Sequence, residues 1–153
     1  INLFFSGPPG TQKTTLAKSM IKTLITKKVN CYYTLANDLI QLIIDSSRDE
    51  QKKSMLDDIM KIDFLVIDEM SEDKIVSFAS GWQRKNLFPW IKRRLETIKK
   101  ATLFISNQPI TNIGSYFEEA IQDLIIREVP DPFVFEDKYV LYKKTDLSSI
   151  WDD

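Results

Sequence analysis

The sequence predicts a three-layer α/β fold in which a mainly parallel five-stranded sheet lies between helices. Short apolar runs alternate along the 153 residues with segments whose apolar residues recur at helical spacing. Polar residues follow three of the apolar runs directly, at 6–7, 68–69 and 106–107. Ligands of parallel α/β sheets bind at the carboxyl ends of the strands, so we expect one domain over 1–153 with a site at this edge.

The predicted strands are runs of apolar, β-branched or aromatic residues without helical spacing. They lie at 1–5, 29–35, 63–69, 101–107 and 133–135, and a further piece follows at 139–142. The run DFLVIDE (63–69) is flanked by charge, which predicts a central parallel strand buried on both faces.

The predicted helices fill the connections between these strands. They lie at about 13–28, from Asn37 to Ile43, at 49–62, over most of 73–100 and at about 114–128. Asn37 is expected to cap the second helix. Gly81 and Pro89 are expected to break or restart the helix within 73–100, because neither residue continues a regular helix well.

Composition and charge exclude several classes of site. The 21 basic and 22 acidic side chains nearly cancel, so any nucleic-acid contact needs a local patch. No histidine and a single cysteine, Cys31, exclude histidine-based catalysis, zinc sites and an internal disulfide. No apolar run approaches the ~20 residues that cross a bilayer, and no basic leader opens the chain. We expect a cytoplasmic protein with no membrane partner, whose natural sequence has further residues upstream.

The segment between the first strand and the first helix is a candidate phosphate-binding loop. It reads GPPGTQKT (7–14) and departs from the pattern GxxxxGK(S/T) only in Gln12, where glycine is usual. Backbone N–H groups and the helix N-terminus attract a polyphosphate in this context. Lys13 is expected to reach the β- and γ-phosphates, and the Thr14 hydroxyl to ligate Mg²⁺. The predicted nucleotide-binding residues are Gly7, Pro8, Pro9, Gly10, Thr11, Gln12, Lys13, Thr14 and Thr15.

Gln12 leaves two interpretations of a nucleotide loop open. Its side chain can obstruct the close backbone approach that glycine permits, or it can point outward without harm. A third interpretation needs no ligand at all, because a Pro-Gly turn before a basic helix start has the same composition.

Acidic and amide side chains follow two further predicted strands. Asp68 and Glu69 end DFLVIDE, and Asn107 ends ATLFISN. Asp68 is expected to hold Mg²⁺ through water opposite Thr14, and Glu69 to polarise a water that attacks the γ-phosphate. Asn107 can contact the γ-phosphate or orient that water. The alternatives are solvated acids at a strand end and an asparagine that initiates a turn.

In this order and spacing, GPPGTQKT, FLVIDEM and LFISN resemble the Walker A, Walker B and sensor-1 elements of AAA+ ATPases, a class of P-loop NTPases. The resemblance narrows to DnaC/DnaI-type helicase loaders and IstB-like transposition ATPases, because a helix resembling TLANDLIQLI and a further helix precede Walker B. As a fold, the resemblance extends over nearly the whole chain. Only the Walker A and Walker B segments are highly specific to the family. It implies bound ATP with Mg²⁺ and composite ATP sites in a homo-oligomer.

The resemblance also implies an arginine that a neighbouring subunit contributes. In these families it lies at the end of the helix after sensor-1, in a segment like IQDLIIRE, which makes Arg127 the candidate catalytic arginine. The alternative is a solvated charge near a helix C-terminus. The family's frequent sensor-2 arginine has no counterpart in FEDKYVLYKKTD, whose cations are Lys138, Lys143 and Lys144.

Basic and aromatic residues are mixed in GWQRKNLFPWIKRRLETIKK (81–100), a composition that suits single-stranded nucleic acid. The candidate contacts are Trp82, Arg84 and Lys85, whereas Trp90 fits the core of an amphipathic helix. The remaining cations of the segment are Lys92, Arg93, Arg94, Lys99 and Lys100. Lys52 and Lys53, on the helix pair that resembles an initiator-type insertion, are a second candidate. A helix with a solvated basic face is the alternative.

The leading hypothesis is the ATPase domain of a DnaC-type helicase loader, which binds ATP-Mg²⁺ and single-stranded DNA and delivers a replicative DNA helicase. An IstB-like transposase helper has the same nucleotide chemistry, with double-stranded DNA as its track. The rivals from other classes are a nucleotide-binding scaffold with little turnover and an α/β interaction domain with a degenerate loop. Gln12 and the missing sensor-2 arginine bear on the hydrolysis rate more than on nucleotide binding.

Overall fold

The computed structural model describes residues 1–71 and 81–136. The strands are β1 (Asn2–Ser6), β2 (Cys31–Leu35), β3 (Phe64–Asp68), β4 (Ala101–Ser106) and β5 (Phe133–Val134). The helices are α1 (Lys13–Thr26), α2 (Ala36–Ser46), α3 (Glu50–Lys61), α4 (Trp82–Lys92) and α5 (Glu119–Glu128), with a π-helical turn at Arg93–Ile98 and a 3₁₀ helix at Ile110–Ser115. The strand predicted at 139–142, most of 73–81 and the lysines Lys138, Lys143 and Lys144 lie outside the described residues.

The described strands form one parallel sheet in the order β2-β3-β4-β1-β5. The predicted α/β fold class is confirmed. β3 lies inside the sheet, and all of its residues are buried, as its unbroken apolar sequence predicts. Ser6 pairs with Ser106 and Ile67 with Phe104, so β1, β3 and β4 end at nearly the same level. The residues that follow these strands therefore reach one edge of the sheet.

Each face of the sheet packs against its own helices, because successive side chains of a strand point to opposite faces. One hydrophobic cluster joins Phe4, Leu65 and Phe104 to apolar residues of α2, α3, α4 and α5. The other joins Val66 and neighbouring strand residues to Ala17 of α1. The predicted three layers are present, and α1 is the helix that connects the phosphate loop to the core.

The start of α2 differs from the prediction. The helix begins at Ala36, directly after β2, so Asn37 lies in its first turn and is not its cap. Leu35 occupies the cap position with an extended backbone and makes no side-chain capping hydrogen bond. The reason is the direct transition from strand to helix, which leaves no turn residue between them.

The segment after β4 also differs from the prediction. The helix expected at 114–128 begins at Glu119. Ile110–Ser115 forms a 3₁₀ helix instead and buries Ile113 completely. None of the helices in the described ranges is long and apolar enough to cross a membrane.

Gly81 marks the start of α4 as predicted, but Pro89 does not end the helix. Gly81 has a left-handed backbone (φ 83°) immediately before the first helical residue. Pro89 removes one N–H donor, yet α4 continues beyond it. Leu87 and Ile91, on either side of the proline, are buried in the core. This packing outweighs the lost hydrogen bond.

Arg94 belongs to the core, so the prediction that groups it with a basic surface is wrong. The residue is 1% exposed. Its Nε donates to Thr102 Oγ1, and its Nη atoms donate to the carbonyls of Met60 and Ala101, each at 2.8 Å. Burial lowers the pKa of the guanidinium to about 10, which leaves it protonated at neutral pH. Arg94 therefore ties the end of α3 to the start of β4.

Candidate nucleotide-binding site

The loop between β1 and α1 requires backbone conformations that favour glycine. Gly10 has φ 81°, and a Cβ on Gly7 would lie 2.3 Å from the carbonyl oxygen of Phe135. Gln12 adopts a left-handed conformation itself (φ 72°, ψ 20°), which costs an L-residue roughly 1–2 kcal/mol. Its side chain is exposed. The loop thus keeps a turn suited to phosphate, and the departure from glycine appears as backbone strain.

Replacing Gln12 with glycine is expected to raise the free energy of unfolding by about 0.5–1 kcal/mol, because relief of the left-handed strain exceeds the entropy that glycine gains on unfolding. Gln12→Ala is the matched control, since alanine keeps the strain and removes only the amide. Urea denaturation of the three proteins measures the difference. Equal stability of the glycine and alanine variants would contradict this prediction.

Lys13 is the first residue of α1, and its ammonium group folds onto the loop. Nζ donates to the carbonyl oxygens of Gly7 and Pro8 at 2.8 Å and to Thr11 Oγ1 at 3.1 Å. The residue is 6% exposed. This burial lowers the pKa of the ammonium, and the carboxylate of Asp68 opposes the shift. A phosphate oxygen that entered the loop would compete with neutral oxygens for a cation already inside the turn.

Asp68 joins the end of β3 to the phosphate loop. The residue is 2% exposed, and its Oδ2 accepts hydrogen bonds from Thr14 Oγ1 (2.7 Å) and from the Tyr33 hydroxyl (2.5 Å). Its Oδ1 accepts from the backbone amide of Glu69 at 2.6 Å. Burial, with the hydrogen bond to Asp68, raises the pKa of Tyr33 well above its ordinary value, so the phenol remains a donor.

The backbone beyond β3 is anchored to the end of β4. Glu69 has a left-handed backbone (φ 56°) and an exposed side chain. The amide of Met70 donates to the carbonyl of Ile105 at 3.0 Å. The hydroxyls of Ser106 and Tyr116 donate to the carbonyl of Met70. These bonds fix the backbone next to Glu69 relative to the end of β4.

One cavity of about 530 Å³ brings the three strand ends together, a size typical of small-molecule sites. Its lining residues are Pro9, Gly10, Gln12, Lys13, Thr14, Thr15, Asp68, Glu69, Ser71, Ile105, Ser106 and Asn107. The backbone amide of Asn107 donates to Ser71 Oγ at 3.1 Å, which adds a link between the second and third strand ends. Carboxylate, hydroxyl and ammonium groups in one cavity suit a phosphate with a divalent cation.

Some predicted residues do not line this cavity. Gly7, Pro8 and Thr11 lie behind it and hold Lys13. Arg127 lies on α5, where its exposed Nη2 is 2.7 Å from Glu96 Oε1.

Two residues of the site lack any local signal in the sequence. Ser71 follows the acidic pair by two positions, and Tyr33 precedes Asp68 by 35. Only the pairing of β2 with β3 could have placed Tyr33 near the carboxylate, because it aligns Tyr33 with Val66, two residues before Asp68.

The exposed surface of α4 is basic. Its exposed cations and those of the following turn are Arg84, Lys85, Lys92 and Arg93. Trp82 and Trp90 are only partly exposed and pack against the core. The predicted core position of Trp90 is confirmed, and Trp82 shares that role, which leaves less of its ring for a stacking partner.

The second candidate surface lies on α3. Lys52 and Lys53 are both exposed, but Lys52 lines a groove together with Asp38 and Asp45. Those carboxylates reduce the positive potential there, whereas α4 itself carries no acidic residue.

Comparison with known proteins assigns the sequence to a family. Residues 1–127 match the family described as IstB-like ATP binding protein. The chain belongs to this family. No curated protein sequence is significantly similar to it. The predicted resemblance to the IstB-like clade is thereby confirmed, and the cavity lies within the matched residues.

Solved structures show the same fold as this IstB-like chain. DnaI is 18% identical with a TM-score of 0.69, over 88% of this chain and 69% of that one. The DnaC helicase loader is 22% identical with a TM-score of 0.66, over 88% and 77%. AMPPCP-bound DnaA from Aquifex aeolicus is 19% identical with a TM-score of 0.73, over 96% and 44%. The chain therefore spans less than half of that DnaA chain. The three matches confirm the predicted AAA+ fold.

Proposed function

We propose that this chain is the ATPase domain of a DNA-replication helicase loader. The observation that carries the ATPase part of the proposal is the 2.7 Å hydrogen bond between Thr14 and Asp68, which joins the phosphate loop to the acidic strand end across 54 residues. Membership of an ATP-binding family supports ATP as the nucleotide. The fold shared with DnaI and the DnaC helicase loader supports the loader assignment.

The phosphate loop is proposed to bind the phosphates of ATP. Its backbone N–H groups and the N-terminus of α1 attract the phosphates, and Lys13 exchanges its loop carbonyls for β- and γ-phosphate oxygens. Thr14 and Asp68 fit Mg²⁺, because hydroxyl and carboxylate oxygens are the ligands that this hard cation prefers. Mg²⁺, when bound, neutralises phosphate charge.

Glu69 is the proposed general base. Its carboxylate lines the same cavity as Lys13 and Thr14, where it polarises a water for attack on the γ-phosphate. Asn107, at the end of β4, orients that water or contacts the γ-phosphate. The hydrogen bonds from the end of β4 to Met70 and Ser71 hold the backbones of Glu69 and Asn107 close together.

Glu69→Gln is expected to lower ATP turnover about 10²–10⁴-fold, because the amide does not accept the proton of the attacking water. ATP affinity is expected to stay nearly unchanged, since Glu69 is not a phosphate ligand. Phosphate release and nucleotide binding are measured side by side, with the exposed Glu50→Gln as a charge-matched control. Turnover at the unsubstituted rate in Glu69→Gln would remove Glu69 from the mechanism.

Arg127 is proposed to complete the site of a neighbouring copy. Its side chain is 58% exposed and does not line its own cavity. The ion pair with Glu96 is exposed, and such pairs contribute little, so the guanidinium can exchange this partner for a phosphate of another subunit. The proposal includes homo-oligomers with composite ATP sites, and slow hydrolysis when a chain has no neighbour to supply Arg127.

The basic surface of α4 is the proposed contact for single-stranded DNA. Within α4 and the first residue after it, Arg84, Lys85, Lys92 and Arg93 are exposed and no acidic residue occurs. Exposed cations without neighbouring carboxylates on their own helix suit a phosphate backbone. Trp82 is partly exposed and is proposed as an additional contact, and Lys52 and Lys53 are a weaker contact.

An IstB-like transposase helper is the second candidate, favoured by the family match over residues 1–127. It uses the same nucleotide chemistry. Its partner is a transposase instead of a helicase, and it binds double-stranded instead of single-stranded DNA. Affinity purification of the tagged protein from its natural host, with ATP and Mg²⁺, separates the two. Recovery of a replicative helicase supports the loader, and recovery of a transposase supports the helper. If neither protein is recovered, both proposals are contradicted. Lys13→Ala is the control for nucleotide dependence.

A further inference from the structure

We infer that Tyr33 is a positioning residue for the metal that accompanies ATP, because its hydroxyl holds the Asp68 carboxylate in the orientation that the cation requires. The inference rests on the proposed ATP-Mg²⁺ site and adds a residue that no motif of that site includes. Tyr33 comes from β2, the strand at the sheet edge beside β3.

The hydrogen bonds of Asp68 leave its carboxylate little freedom. Oδ2 accepts from both Thr14 and Tyr33, and Oδ1 accepts from the amide of Glu69. An ionised carboxylate has about four acceptor positions, so roughly one stays open. Thr14 keeps its own lone pairs for a cation while it donates to Oδ2. Without the tyrosine hydroxyl, the carboxylate gains a free acceptor position and a rotational freedom that the described contacts deny it.

Tyr33 is itself held on two sides. Its backbone is fixed by the parallel pairing with Val66, and its ring packs in the cluster between the sheet and α1. The Lys18 ammonium, also on α1, lies 5.2 Å from the ring centroid, within the range of a cation–π contact. The helix that carries Thr14 therefore also positions Tyr33, and both hydroxyls reach the same carboxylate oxygen.

A partly buried tyrosine also needs a hydrogen-bond partner for structural reasons alone. A residue that positions a metal ligand and a residue with a structural contact alone affect different measurements. A partner that orients a metal ligand changes metal affinity, typically 10–100-fold, whereas a structural contact changes only the stability of the fold. Tyr32, the neighbouring residue of β2, packs in the other hydrophobic cluster and offers a matched control.

The test is Tyr33→Phe, which keeps the ring and removes the hydroxyl. Binding of a fluorescent ATP analogue is titrated with MgCl₂ and repeated in EDTA, and thermal unfolding is followed without nucleotide. We expect the Mg²⁺ concentration at half-maximal enhancement of binding to rise about 10–100-fold, with nearly unchanged affinity in EDTA. Tyr32→Phe is expected to match the unsubstituted protein in both titrations.

Three results would overturn the inference. The first is an unchanged or stronger Mg²⁺ response in Tyr33→Phe. The second is an equal loss of binding in EDTA, which would assign Tyr33 to the fold of the loop. The third is nucleotide binding by the unsubstituted protein that does not respond to Mg²⁺. Failure of the unsubstituted protein to bind the analogue at all would instead contradict the proposed ATP site, and the inference with it.

Discussion

Replacing Arg94 with alanine is expected to lower the free energy of unfolding by about 4 kcal/mol or more. The carbonyls of Met60 and Ala101 and the Thr102 hydroxyl lose their donor, at about 1–3 kcal/mol for each buried group left unsatisfied. A cavity where the side chain was packed adds to this cost. Since domains are stable by only about 5–15 kcal/mol, the variant is expected to be close to unfolded at room temperature.

Arg93→Ala is the matched control for this experiment. Arg93 is the preceding arginine of the same turn, but it is exposed, so its loss is expected to change stability by less than about 0.5 kcal/mol. Arg94→Lys is expected to fall between the two, because one ammonium cannot reach all of the acceptors on α3 and β4. Urea denaturation followed by circular dichroism gives all three values. A loss below about 1 kcal/mol in Arg94→Ala would contradict the structural role.

Replacing Lys13 with alanine is expected to weaken ATP binding about 100-fold or more. The ammonium lies inside the turn of the loop, and two charge-assisted hydrogen bonds to phosphate oxygens are worth about 3–6 kcal/mol together. No other lysine or arginine lines the cavity, so no second cation replaces it among the described residues. Fluorescent-nucleotide titration measures the change.

Lys22→Ala controls for the loss of one positive charge on α1, since Lys22 is exposed on the same helix. It is expected to bind ATP like the unsubstituted protein. Circular dichroism of Lys13→Ala checks that the protein stays folded after the carbonyls of Gly7 and Pro8 lose their donor. Equal affinity of a folded Lys13→Ala variant and the unsubstituted protein would contradict a phosphate site at this loop.

The fold and the location of the site could be predicted from sequence because their signals are local. Each strand end carries its polar residue directly after an apolar run, as at Asp68 and Asn107, and a parallel sheet aligns such ends without further information. The phosphate loop is one short segment whose backbone chemistry is contained in its own residues. The predicted α/β class depends on these features alone, and the predicted AAA+ fold on the resemblance of the same segments to a known family.

The features that escaped prediction depend on distant partners. Tyr33 reaches Asp68 only because β2 pairs with β3, and strand order is not written in either segment. Arg94 is buried because a π-helical turn at 93–98 directs it toward carbonyls of α3 and β4, although its neighbours in sequence are typical of a basic surface. Pro89 stays within α4 because core contacts of the flanking residues override its local preference.

Gln12 combines both situations. Its position in the motif predicts a glycine-like conformation, and the structure has that conformation at φ 72°. Its position at the cavity depends on distant residues, because the cavity exists only after three strand ends meet.

The three strand ends are proposed to form one nucleotide site, and hydrogen–deuterium exchange with and without ATP and Mg²⁺ tests this most directly. We expect slower amide exchange on nucleotide addition in three separate peptides at once, covering 7–15, 68–71 and 105–108. Peptides from the exposed part of α3 serve as the internal reference and are expected to stay unchanged. Slower exchange in the loop alone, or no change at millimolar nucleotide, would contradict a single ATP site built from these residues.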